Sequence, residues 1–99
     1  MFLGLWTLGS TLAVHVQLAA GNAPVTADAA PTFRIYVGSS NTPIATGTAS
    51  GVVDSQTGFH LVTKALTVGN GFAVGTYTIR LAYAVSAVAA VQEYHFQIV

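Results

Sequence analysis

Cysteine is absent from the 99-residue chain, which excludes disulfide staples, thiolate metal ligands and cysteine nucleophiles. Charge is nearly absent as well. Charged residues make up 6% of the chain, where a soluble domain ordinarily carries about 25%. Three Lys plus Arg residues balance three Asp plus Glu residues, so the net charge is zero. A chain without cationic excess offers no electrostatic footprint to a phosphate backbone or an anionic membrane. So few charges also leave little to keep copies of a free monomer apart. Much of the surface is therefore expected to be covered by partner chains.

The usual catalytic signatures are missing too. No Gly-x-Ser-x-Gly elbow occurs. The glycines of Gly69–Gly75 lack the Lys-Ser or Lys-Thr and the following helix that a phosphate cradle needs. His15, His60 and His95 fall on the outward phase of three predicted strands, at separations unlike any zinc signature. Asp28 and Asp54 sit in turns, where aspartate caps its own backbone, and with Glu93 they are the only carboxylate side chains. No enzyme, metal site or cofactor is expected.

The apolar stretch Phe2–Ala20 has no Lys or Arg before it. Gly4, Thr7, Gly9, Ser10, His15 and Gln17 interrupt it. Neither a signal peptide nor a membrane-spanning helix, which needs about 20 apolar residues, is expected there.

What the chain has is alternation. Leu12, Val14, Val16 and Leu18 share one phase of Thr11–Leu18, and period two means a half-buried strand. Ala19–Pro31 carries Gly21, Asn22, Pro24, Asp28 and Pro31 and reads as a long connection. Alternation returns in Thr32–Val37 (Phe33, Ile35) and more weakly in Pro43–Ala49. In Phe59–Lys64 it sets Phe59, Leu61 and Thr63 against His60, Val62 and Lys64. The glycine-rich run Val68–Gly75 reads as a crossing between sheets.

Thr76–Ala84, with Tyr77, Ile79, Leu81 and Tyr83 on one side, is the strongest strand. Gln92–Val99 places Tyr94, Phe96 and Ile98 inward, and Val85–Ala90 is either a tight hairpin loop or an extension of its neighbours. The count is six or seven strands and no helix, which suggests a sandwich or small barrel in a single domain. The expected core is Val14, Val16, Phe33, Ile35, Leu61, Tyr77, Ile79, Leu81, Phe96 and Ile98. Arg80 and Glu93 are expected to pair across neighbouring strands.

Residues 1–10 stand apart from the frame of residues 11–99. They concentrate Phe2, Leu3, Leu5, Trp6 and Leu8 around Gly4 and Gly9, with a spacing that is neither helical nor cleanly alternating. One reading is an edge strand that seals the domain's own core. The other is an arm whose five large side chains form an assembly interface with a neighbouring chain.

The strings Thr57-Gly58-Phe59-His60, Asn70-Gly71-Phe72-Ala73-Val74-Gly75-Thr76-Tyr77-Thr78-Ile79 and His95-Phe96-Gln97-Ile98-Val99 carry a resemblance. So does Asp28-Ala29-Ala30-Pro31-Thr32-Phe33-Arg34-Ile35-Tyr36. They resemble small virion structural proteins of tailed bacteriophages. The resemblance implies an all-β, antiparallel immunoglobulin-like β-sandwich of six to seven strands with no catalytic residues. It also implies a place in the virion, as a capsid decoration or cement subunit or near the neck or tail. The expected partners are the major capsid protein and further copies of the chain, with no nucleic acid and no membrane. The alternative expectation is a binding module of a neck, tail or fibre that attaches to a host glycan or surface protein.

Overall fold

A computed structural model describes residues 2–99 and shows an all-β architecture. Its strands are β1 (Phe2–Trp6), β2 (Thr11–Gln17), β3 (Ala19–Ala20), β4 (Ala23–Pro24), β5 (Thr32–Val37), β6 (Pro43–Thr48), β7 (Phe59–Ala65), β8 (Gly75–Val85) and β9 (Val88–Ile98). The only helical pieces among the described residues are two 3-10 turns, Val53–Ser55 and Val68–Asn70. A five-stranded sheet in the order β1-β9-β8-β5-β6 faces a two-stranded ribbon, β2-β7. The connection expected over Ala19–Pro31 contains a small hairpin of its own, β3-β4.

Inward residues of both layers meet in one core. Leu12, Val16, Leu18, Val62 and Leu66 come from the ribbon side, and Phe33, Ile35, Tyr77, Ile79, Leu81, Tyr94, Phe96 and Ile98 from the large sheet. Aromatic rings run through one end of it. Trp6 meets Phe96 edge-on at 6.0 Å, Phe96 stacks on Tyr77 at 5.2 Å, and Tyr77 tilts against Phe72 at 5.4 Å. Each such pair contributes about 0.5–1.5 kcal/mol beyond the area it buries. The Tyr77 hydroxyl also closes the corner before β8, donating to Ala73 O at 2.7 Å and accepting from Ala73 N at 2.9 Å.

Three expectations need correction. The sheets are not wholly antiparallel, because β1 runs parallel to β9. In β7 the phase is inverted: His60 and Val62 are buried, whereas Leu61 is only partly buried. Pairing with β2 sets this, since His60 lies opposite the buried Val16. His60 tolerates the core because its Nδ1 donates to Ser50 O at 2.8 Å, which removes most of the cost of burying a polar group. Val14 is half-buried and packs on the edge of the core rather than within it.

The β8-β9 hairpin reaches Val85 and Val88, so the turn is the two residues Ser86 and Ala87. Both take positive φ, 50° and 65°, in a turn that prefers Asn-Gly because side chains crowd that conformation. Asp28 compensates: Oδ1 accepts from Ser86 N at 2.9 Å and Oδ2 from Ala87 N at 2.8 Å. Asp28→Ala is expected to cost about 1–2 kcal/mol, at the lower end for charged hydrogen bonds because the site is exposed. Thermal melting gives the cost, and accelerated amide exchange confined to Ser86 and Ala87 locates it.

Candidate functional site

The bulge explains the irregular spacing of the first strand. Between Phe2 and Leu5 the register with β9 shifts, at Gly4 with φ 122°. A bulge adds one residue and so reverses the alternation beyond it. Phe2 and Leu5, three apart, therefore share the outer face of the large sheet, opposite His95 and Gln97. Leu3 and Trp6 turn to the core side, and Leu8 joins them. Met1 lies outside the described residues.

The five side chains of the expected interface are thus split. Leu3, Trp6 and Leu8 pack on the chain's own core. Phe2 and Leu5 remain 58% and 61% exposed. Backbone bonds tie the segment down at its end, from Val99 N to Trp6 O at 2.9 Å and from Gly9 N to Leu66 O at 2.7 Å. The edge-strand reading describes the cis packing, and only Phe2 and Leu5 face away from it.

The outer face of the large sheet carries polar groups in rows. Arg80 and Glu93 are paired across β8 and β9 at 3.5 Å, as expected, and both are about half exposed. Arg34 lies in register on the other side of Arg80. Thr78 Oγ1 and His95 Nδ1 are 3.1 Å apart. With Tyr36 and the Gly38–Asn41 loop, Thr78, Arg80, Glu93 and His95 line an open groove of about 410 Å³. The sequence singles out the Arg80–Glu93 pair and His95 but not the groove, because strand register alone joins them to Tyr36 and Thr78.

Chemistry of other kinds finds little to work with. His15 stacks on Phe59 at 4.9 Å on the ribbon, His60 is buried, and His95 lies on the large sheet. No three His, Asp or Glu residues among those described are grouped as metal ligands. Tyr94 belongs to a small network in which Gln92 bonds its hydroxyl and accepts from Tyr83 at 2.7 Å. Burial pushes the Tyr94 phenol above its ordinary value, and the Gln92 bond pulls the other way. No helix among the described residues is long and apolar enough to cross a membrane.

Fold and surface together define a two-layered all-β domain with an apolar edge and a polar sheet face. The chain matches no family model, no curated protein and no solved structure.

Proposed function

We infer that this chain is a non-enzymatic structural protein of a tailed-phage virion. It acts as a capsid decoration or cement subunit through contacts with the major capsid protein and with its own copies. The observation that carries an assembly role is the pairing of Phe2 with Leu5 on the sheet's outer face, in a chain with 6% charged residues. Contiguous apolar exposure of this kind marks interaction surfaces. The viral setting comes from the sequence resemblance.

Two features support an immunoglobulin-like form of the sandwich. The last two strands pair centrally, with the first strand parallel at the edge, and Tyr77 makes the backbone-closing corner seen at the start of the corresponding strand in such folds. The ribbon is narrower than the three- or four-stranded layer usual there.

The wild-type chain is expected to sediment as a small symmetric oligomer and to bind purified particles at a copy number set by the capsid lattice. Phe2→Ser/Leu5→Ser leaves Leu3, Trp6 and Leu8 in place, so it should fold with a melting temperature within a few degrees of wild type, as surface changes do. It should nevertheless fail to assemble. A wild-type monomer that stays off particles would sink the reading.

The groove beside Tyr36, Arg80 and His95 favours a second reading, a module that attaches to a host glycan or surface protein. Its polar and aromatic lining suits a sugar. Binding on a glycan array that is lost in Tyr36→Ala, with normal assembly, would select this reading over the first.

A further inference from the structure

We propose that the free edge of β2 accepts a strand donated by a partner protein, an extended and uncharged segment with alternating apolar side chains. In an antiparallel pair the N–H and C=O of one residue point to the same side, so alternate residues bond the neighbour. Leu18 N donates to Gly58 O at 2.9 Å and Leu66 N to Ser10 O at 2.8 Å, which puts the even-numbered residues of β2 on the β7 side. Thr11, Ala13, His15 and Gln17 direct their backbone groups the other way. No strand among the described residues pairs with that edge.

The remaining edges are guarded. Ser50 covers the far side of β7, donating from its N to Leu61 O and accepting Leu61 N at its hydroxyl, both at 2.9 Å. β6 starts at Pro43 beside a register shift, and β1 is broken by its bulge. By contrast β2 keeps unbroken register over seven residues with neither proline nor charge, the kind of edge that invites pairing.

Space is present as well. Five strands face only two, and beside the β2 edge lies a hollow of about 540 Å³ lined by Leu3, His15, Val16, Phe59, Gln92 and Tyr94. Glu93 at its rim is turned to Arg80. An added strand whose backbone met Thr11–His15, a span of roughly five residues at about 3.3 Å each, would bring its inward side chains to this hollow at the His15 end. A second copy is the competing occupant, and the concentration dependence of amide exchange separates it from a donated strand. This edge is separate from the Phe2–Leu5 patch, so either contact can fail without the other.

Residue-resolved hydrogen exchange on the full chain tests the proposal, with a synthetic eight-residue peptide of alternating Thr and Val as probe. The same peptide with every amide N-methylated, which leaves no N–H on either edge to pair, is the control. In the free chain the amides of Thr11, Ala13 and His15 should exchange at least roughly tenfold faster than those of Leu12, Val14 and Val16, because only the latter are in a ladder. The Thr-Val peptide should slow the first group roughly tenfold and the control should not. Ala13→Pro removes one edge N–H at a position where proline is tolerated and should weaken the protection. Equal exchange of both groups in the dilute free chain, protection on β1 or β6 instead, equal protection by the control, or no protection at all would each overturn the proposal. Protection that grows with protein concentration without peptide would assign the edge to a second copy and overturn it too.

Discussion

Phe96→Ala is expected to destabilise the chain by about 3–5 kcal/mol, the usual cost of truncating a fully buried phenylalanine. Phe96 is completely buried and holds two contacts at once, stacking on Tyr77 at 5.2 Å and receiving the edge of Trp6 at 6.0 Å. The change therefore opens a cavity in the large sheet and also unseats β1, whose main anchor is Trp6. For a domain with about 5–15 kcal/mol in total, that loss is a large share. At about 4 °C or more per kcal/mol for a domain of this size, the melting temperature should fall by roughly 12 °C or more. Faster amide exchange throughout β1 would accompany the fall. An unchanged melting temperature would contradict the position of Phe96 at the centre of the core.

Gly58→Ala should be the most damaging single-methyl addition. Gly58 has φ 69°, and a Cβ there would lie 2.4 Å from Val25 O and 3.0 Å from Leu18 O. Left-handed backbone costs a side-chain-bearing residue about 1–2 kcal/mol, and forcing a methyl into packed surroundings adds about 1–3 kcal/mol. Backbone oxygens cannot swing aside as a side chain can. The carbonyls of Gly58 and Leu18 also bond Leu18 N at 2.9 Å and Val25 N at 3.1 Å, so any shift disturbs the end of β2. The expected cost is roughly 2–5 kcal/mol by those two contributions together. Gly51→Ala, where nothing lies within 4 Å and φ is not positive, is the control and should leave stability nearly unchanged. Similar melting temperatures for the two variants would contradict the close approach at Gly58.

Much of this arrangement was legible from period two. β5, β8 and β9 carry their apolar residues on one phase, and Phe33, Ile35, Tyr77, Ile79, Leu81, Phe96 and Ile98 are all buried as expected. The crossing at Val68–Gly75 was legible from its glycines, and it does link the ribbon to the large sheet. Phe72 within that run escaped notice, because a buried aromatic in a loop belongs to no period. It is 2% exposed and packs on Tyr77.

The candidate surface was only half legible. Five large side chains in Phe2–Leu8 announced an unusual segment, but their division between core and solvent depends on one bulge. The sheet-face groove and the free edge of β2 had no sequence signal. Each is created by which strands lie next to each other.

Composition and local alternation by themselves determined that the chain is all-β, nearly uncharged and without thiol chemistry, because those properties belong to single residues and to neighbours two apart. Tertiary structure alone decided the phase of β7, where both faces carry apolar residues and the pairing of His60 with Val16 settles the matter. It also decided the parallel docking of β1 and the latch of Asp28 on Ser86 and Ala87, 58 and 59 residues away. The physical reason is common to all three. Hydrogen bonds between strands and caps on distant turns are satisfied by partners far along the chain, and local pattern carries no record of which partner that is.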